Sequence, residues 1–249
     1  MRIAPACVVA VLLIAPSLRA AVQSPRAANP ERPSVATHAY VVAPGYAELE
    51  QGVRAQGVGD FRAATTWEFN LKLGLTRHAQ LGLFGTGYAR RAHGAGVGDV
   101  GLALKLRTAV SPRGAVALVP AVTLPTGDSA AGLGAGRVLG ALVAVWSGDV
   151  AGGVHVDLNA GPTGVGAGAP QWLATASCSR AFGRVGLAAE VFRVGPGAAG
   201  PRQAGLLGAV SWRVWEWGVA DAGGVVGLGA GSADQLFVGV TTNLGRIFK

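Results

Sequence analysis

The chain reads as all-β, a transmembrane antiparallel up-and-down β-barrel of about twelve strands behind a cleavable export signal. Three observations predict this. The last stretch, Gln235-Leu-Phe-Val-Gly-Val-Thr-Thr-Asn-Leu-Gly-Arg-Ile-Phe248, alternates apolar with small or polar residues almost to the terminus. Leu236, Val238, Val240 and Leu244 therefore share one face of an extended strand. Many earlier segments alternate in the same way. Glycine occupies 40 of 249 positions and charged residues only 14%, which opposes long helices because an interior glycine costs up to about 1 kcal/mol against alanine. Glycine has no third-residue period, so collagen is excluded.

Residues 1–20 have the pattern of a secretory signal. Arg2 supplies the positive start, Ile3 to Ala15 is apolar except for Pro5, and Ser17-Leu-Arg-Ala20 offers cleavage after Ala20. The apolar run is shorter than the roughly 20 residues a spanning helix needs. Cys7 lacks the small residues that a lipidation signal would place before it. With the signal gone Cys178 stands alone, so no internal disulfide is possible despite the oxidising compartment. It reads as a small apolar residue, buried or facing lipid. The formal net charge of +8 falls to +6 when Arg2 and Arg19 leave. The remaining basic residues are scattered, with no Lys/Arg cluster interleaved with aromatics, so nucleic acid is not expected as a partner.

Residues 21–43, with Gln23 to Thr37 rich in Pro, Arg, Ala and Ser, read as a flexible N-terminal tail, which would be a plug if folded back into the barrel. Residues 44–249 read as the barrel. Expected strands are 44–54, 63–76, 79–89, 97–109, 114–126, 136–148, 151–161, 169–181, 184–193, 204–213, 215–228 and 235–248, an even set as bacterial single-chain barrels require, with ten strands as the alternative. In the second, Trp67, Phe69, Leu71, Leu73 and Leu75 oppose Glu68, Asn70 and Lys72. In the fourth, Leu102, Leu104 and Leu106 oppose Ala103, Lys105 and Arg107. In the seventh, Val154, Val156 and Leu158 oppose His155, Asp157 and Asn159. A helix would scatter these charges around its circumference, so the period is two.

The joints Thr76-Arg-His78, Ser111-Pro-Arg-Gly114, Ser147-Gly-Asp149 and Phe182-Gly183 are short, whereas 90–96, 127–135 and 194–203 are longer and rich in Gly and Pro. Short turns at one end and longer loops at the other is the membrane-barrel asymmetry. A soluble sandwich would carry many charges on its outer faces. Here the non-apolar faces are mostly Gly, Ala, Ser and Thr, with a few charges of both signs. Trp67, Trp146, Trp172, Trp212, Trp215 and Trp217 fall near strand ends, as interfacial girdles require.

Gly96-Val-Gly-Asp99-Val-Gly-Leu-Ala-Leu-Lys105, Leu118-Val-Pro-Ala-Val-Thr-Leu-Pro125-Thr-Gly127-Asp128 and Phe237-Val-Gly-Val-Thr-Thr-Asn243-Leu, with the opening Gly45-Tyr-Ala-Glu-Leu-Glu50, resemble the outer-membrane "transporter" proteins related to the MetA pathway of phenol degradation. The resemblance covers about residues 44–248. It implies an outer-membrane barrel that passes hydrophobic or aromatic compounds, and it supplies no catalytic residue. Lys249 after Phe248 departs from the aromatic terminus such barrels often have.

Gly96-Val-Gly98-Asp-Val-Gly101 has the spacing of a dinucleotide-binding loop, but an alternating strand follows it where that mechanism needs a helix N-terminus. Ser147, His155, Asp157 and Asn159 invite a hydrolase reading. No motif marks a nucleophile, and polar lining is the simpler account. No enzyme activity, cofactor or metal site is expected.

Charges facing lipid at mid-membrane would cost about 2–4 kcal/mol for each Lys or Arg. Glu48, Glu50, Glu68, Asn70, Lys72, Lys105, Arg107, His155, Asp157, Asn159 and Glu190 are therefore candidate lumen-lining residues, forming either a salt-bridge plug or a solute-sorting constriction. Val238, Val240, Leu244 and Phe248 are the candidate signal to the barrel assembly machinery. Outer-membrane lipids, lipopolysaccharide and small hydrophobic solutes are the other expected partners. The expected role is a passive outer-membrane channel, against a plugged structural barrel and, behind that, a lipid hydrolase.

Overall fold

A computed structural model describes residues 24–57, 61–111 and 114–249, and the expected signal at 1–20 lies outside them. Twelve long strands form one closed antiparallel sheet: β1 (Tyr46–Gly57), β2 (Ala64–Thr76), β3 (Ala79–Arg91), β5 (Val100–Ser111), β6 (Gly114–Leu124), β7 (Leu139–Val150), β8 (Val154–Thr163), β9 (Gln171–Phe182), β10 (Val185–Val194), β11 (Gln203–Trp215), β12 (Gly218–Gly227) and β13 (Asp234–Arg246). A three-residue strand, β4 (Gly94–Gly96), folds back on the outer end of β3. Each long strand pairs with its neighbours in sequence, and β1 pairs with β13 to close the barrel, Val53 opposite Val238. Every expected strand is present, displaced by at most a few residues.

Two-residue turns join β2 to β3, β9 to β10 and β11 to β12, and Ala28, beside Glu216, and the C-terminal residues, beside Gly45, lie at that same end of the barrel. The opposite end carries the longer loops 125–138, 164–170 and 195–202. The short-turn end is the periplasmic one. One turn departs from expectation: Ser147, Gly148 and Asp149 lie inside β7, and the chain reverses at Ala151–Gly153. Gly152 and Gly153, at φ 76° and 71°, supply the left-handed geometry of the reversal, while Ser147 is held inward opposite Asp157.

The outer face is apolar. Leu71, Leu81, Leu102, Leu106, Leu118, Leu142, Leu158, Val191, Leu206 and Val238 all point out with a third or more of their surface exposed. Among the described residues no charged side chain of the central strand segments shares that face, which fits the barrel to hydrocarbon. Trp67 and Trp172 sit toward the loop end. Trp146, Trp212, Trp215 and Trp217 sit toward the turn end, where Trp215 and Trp217 stack with centroids 4.9 Å apart. The β5–β6 ladder is interrupted where Val119 and Pro120 face Leu104 and Lys105, since proline has no N–H to give.

Residues 24–43 do not trail away from the barrel. They enter from the periplasmic end, where Ala28 N–H binds the Glu216 carbonyl, reach mid-barrel near residues 32–37, and return to Gly45, whose N–H binds the Gly74 carbonyl. The expected flexible tail is thus a loop threaded through the lower half of the lumen. The reason is chemical: the tail brings unpaired backbone N–H groups to a wall rich in acceptors, and none can be left unmet inside the barrel.

Candidate functional site: the lumen and its plug

Because strand residues alternate, the small and polar face that solvent-side reading leaves over becomes the lining. On β1 it presents Glu48, Glu50, Gly52 and Arg54; on β2, Thr66, Glu68, Asn70 and Lys72; on β5, Lys105 and Arg107. Seven tail N–H groups bind six wall side chains. Asn29 donates to Glu48 (2.7 Å), Glu31 to Glu50 (2.6 Å), Val35 and Ala36 to the two oxygens of Glu190 (2.8 Å each), Thr37 to Asn159 Oδ1 (2.8 Å), Ala39 to Ser147 Oγ (2.7 Å) and Val42 to Gln80 Oε1 (2.9 Å). Asn159 also returns a bond to the Thr37 carbonyl (2.9 Å).

At the centre of this contact lies a charge network. Lys72, fully buried, holds Glu48 at 2.5 Å and Glu50 at 2.6 Å and donates to the Asn29 carbonyl at 3.0 Å. Lys105 holds the tail's Glu31 at 2.5 Å and donates to Thr37 Oγ1 and the His38 carbonyl, both at 2.7 Å. Burial alone would raise the Glu31 carboxyl, but Lys105 and Lys72 override it and hold the group well below the usual carboxylate range. His38 is pushed down to about 4 by burial and by the Lys105 ammonium. The plug is therefore held by one anionic and one neutral side chain close to two buried lysines.

Glu48, Glu50, Lys72, Lys105, Asn159 and Glu190 meet the plug directly. Glu68 lies higher and pairs with Arg54 at 3.2 Å. Arg107 faces the lumen at the periplasmic end but donates to the Arg77 carbonyl of the β2–β3 turn, not to an acid. Lys105 likewise takes its carboxylate from the tail and not from the Glu48, Glu50 and Glu68 wall. Asn70 lines, with Glu31, Thr37, Gln80, Phe84 and Lys105, a cavity of about 70 Å³ between plug and wall, room for a few waters and no larger solute.

His155, Asp157 and Ser147 do meet, in an order that defeats a nucleophilic role. Ser147 Oγ donates to Asp157 Oδ1 at 2.5 Å, and His155 Nε2 reaches the same oxygen at 3.2 Å while its Nδ1 binds Asp149 at 2.7 Å. The carboxylate stands between hydroxyl and imidazole, so His155 does not contact the serine, and the buried Ser147 also accepts the plug's Ala39 N–H. Among the described residues no group of three His, Cys, Asp or Glu side chains is placed to hold a metal ion. The glycines of Gly96-Val-Gly98 run into a strand, as expected. Asp99 accepts the N–H groups of Gly127 and Ala135, and Thr126 Oγ1 bridges Gly98 and Val100, so two of the quoted stretches staple the outer loops together.

Sequence reading missed the other working surfaces. Arg32, from the top of the plug, meets Asp221 at 3.3 Å. Above it Phe192, Leu207, Val225 and Phe237 form a buried apolar cluster inside the barrel, on β10–β13. Their inward parity in each strand is the signal that finds them. The outward run of Leu236, Val238, Val240 and Leu244 ends beside Phe248, whose N–H meets the Gly45 carbonyl at 3.3 Å.

By sequence the chain matches no family model and no curated protein. By structure it is similar to the KdgM porin (TM-score 0.58, 8% identity, 80% of this chain and 99% of that one) and to the same porin in complex with disordered oligogalacturonate (0.60, 8%, 80% and 99%). It is also similar to an outer-membrane channel from Pseudomonas putida F1 (0.61, 13%, 82% and 97%). With its apolar outer belt, the chain has the fold of an outer-membrane β-barrel channel, and the cell outer membrane is its place.

Proposed function

We propose that the chain is a passive channel for small hydrophobic or aromatic compounds, and that residues 24–43 keep its lumen closed until they are displaced. The observation that carries this is the wall's chemistry. Six polar wall side chains bind backbone N–H groups of a separate segment, and Glu48, Glu50 and Ser147 do so while also paired to a wall neighbour. A barrel built only to be solid could fill its lumen with wall-to-wall packing. This one encloses a space wide enough for a polypeptide loop, as twelve strands allow. The short stretches resembling the phenol-degradation transporters, and the buried apolar patch on β10–β13, favour apolar solutes over sugars or ions.

The test compares planar-bilayer conductance and liposome swelling for the whole chain and for a form lacking residues 24–43, together with uptake of aromatic compounds by cells with and without the gene. The full chain should conduct weakly and the truncated form strongly, and deletion of the gene should slow uptake. Silence from both forms, with uptake unchanged, overturns the channel reading in favour of a plugged structural barrel, which the same contacts would also build. We further propose that the outward Val238, Val240 and Leu244 with Phe248 form the assembly signal. Truncation before Ile247 should slow insertion by the assembly machinery.

A further inference from the structure

Inside the barrel one row of residues in register crosses five strands: Ser211 on β11, Asp221 on β12, Gly239 on β13, Gly52 on β1 and Glu68 on β2. The two facing glycines leave a notch, and the Arg32 guanidinium fills it. A Cβ added at Gly52 would lie 2.5 Å from Arg32 Nη2, and one at Gly239 would collide with Arg32 Nε. The carboxylate of Asp221 closes one side, at 3.4 Å from Nε and 3.3 Å from Nη2. The Val238 carbonyl adds a longer contact at 3.5 Å, and the Phe237 ring covers the guanidinium, its centroid 6.0 Å from Cζ. Arg54 approaches the same ring at 5.7 Å, already neutralised by Glu68 on the far side of the notch.

An acid, a carbonyl, an aromatic face and a floor without side chains are what a planar organic cation needs. Phe237 belongs both to this notch and to the apolar cluster with Phe192, Leu207 and Val225. An apolar tail attached to the cation would therefore have a greasy wall to lie on. We infer that this notch is a binding site for alkylguanidinium or alkylammonium ions, now occupied by the plug's own Arg32, and that such a ligand and the docked plug exclude one another. The inference rests on the reading that residues 24–43 can leave the lumen. It adds to that reading a class of releasing ligand, separate from the apolar solute, and a means of release.

The probe is n-hexylguanidinium, with n-hexyl sulfate as the control of equal chain length, titrated calorimetrically into the full mature chain in non-ionic detergent. Folding of each variant is verified by heat-modifiable gel migration. Arg32→Ala, which empties the notch, should bind the cation at least about tenfold more tightly than the wild type. Adding Asp221→Asn to Arg32→Ala should remove at least that gain, and the sulfate should show neither effect. In a Cys178→Ser background a fluorophore on Val35→Cys, at an exposed plug position, should become more mobile as the cation saturates the wild type. Equal affinity in wild type and Arg32→Ala, or indifference to the nearly isosteric Asp221→Asn, overturns the site. If the binding pattern holds while neither full nor truncated chain conducts, the channel reading falls and the site stands. Conductance without the pattern gives the reverse.

Discussion

The two sides of the lumen do different work. The wall made by β1, β2, β3 and β5 carries Glu48, Glu50, Lys72, Gln80 and Lys105, and it grips the plug through charge and backbone hydrogen bonds. The wall made by β10 to β13 carries the apolar Phe192, Leu207, Val225 and Phe237, and its polar contacts with the plug, at Glu190, Asp221 and Asn243, lie outside that cluster. The first wall cannot do without a polar partner once it is out of water, because a buried ion without its counter-charge costs several kcal/mol. The apolar cluster of the second can be covered or bare at much smaller cost. A lumen made this way is asymmetric by design: one side holds the stopper, and the other is fit to receive an apolar guest.

Breaking the charged wall should have the largest effect. Lys72→Met leaves Glu48 and Glu50 buried side by side with no cation between them, and should destabilise the barrel by about 3–5 kcal/mol, read as a shift in denaturant-induced loss of heat-modifiable migration. The same experiment on Phe237→Ala sharpens the comparison. It should cost about 3 kcal/mol by emptying part of the apolar cluster, yet leave the plug's hydrogen exchange on the opposite wall unchanged. The outside of the barrel supplies the next test. Leu104→Arg would put a charge into hydrocarbon and should hinder insertion by about 2–4 kcal/mol, measured by folding into lipid vesicles. If Leu104→Arg inserted as readily as wild type, the assignment of inner and outer faces would be inverted.

Smaller again is Lys105→Gln, which keeps the barrel assembled but loses the Glu31 ion pair. The plug should loosen and single-channel openings should become more frequent, while Arg107→Gln, tied only to a turn carbonyl, should change little. Mild acid should act in the same direction. His38 has a folded pKa of about 4, below its ordinary value of 6.5, so the displaced plug binds the extra proton. Docking is fully favourable above about pH 6.5 and weakens as pH falls toward 4, by up to about 1.4 kcal/mol per unit. Hydrogen exchange at Thr37 to Ala39 across that range checks the sign. Exchange that slows on acidification would be inconsistent with a neutral His38 in the plug.

The barrel was legible because period-two alternation is a property of side chains, and side chains are what a sequence spells out. Trp67 to Leu75 and Leu236 to Leu244 declared their lipid face directly. The turn after β7 was misplaced because Ser147-Gly-Asp149 has turn composition, whereas Ser147 is held by Asp157 and the plug, and two glycines four residues on make the reversal. That the tail would plug the barrel if folded back could be imagined from the sequence, but not that it does, because its bonds are made by backbone N–H groups, which Pro-, Ala- and Arg-rich composition does not reveal. The lining held the clue: Glu48, Glu50, Glu190, Asn159 and Gln80 face inward with more acceptors than the wall has donors to offer. That excess required a donor from elsewhere in the chain.

The closed seam between β1 and β13 also sets an order of events. Asn243 on β13 donates to the carbonyls of Pro25 and Ala27, Gly239 on the same strand floors the Arg32 notch, and Asp221 on β12 anchors that arginine. None of these partners is in position until the C-terminal hairpin has been laid against the first strand. Residues 24–43 precede every strand of the barrel, yet these three contacts form only after the last strands are laid, so their formation reports that the cylinder has been completed in the correct register.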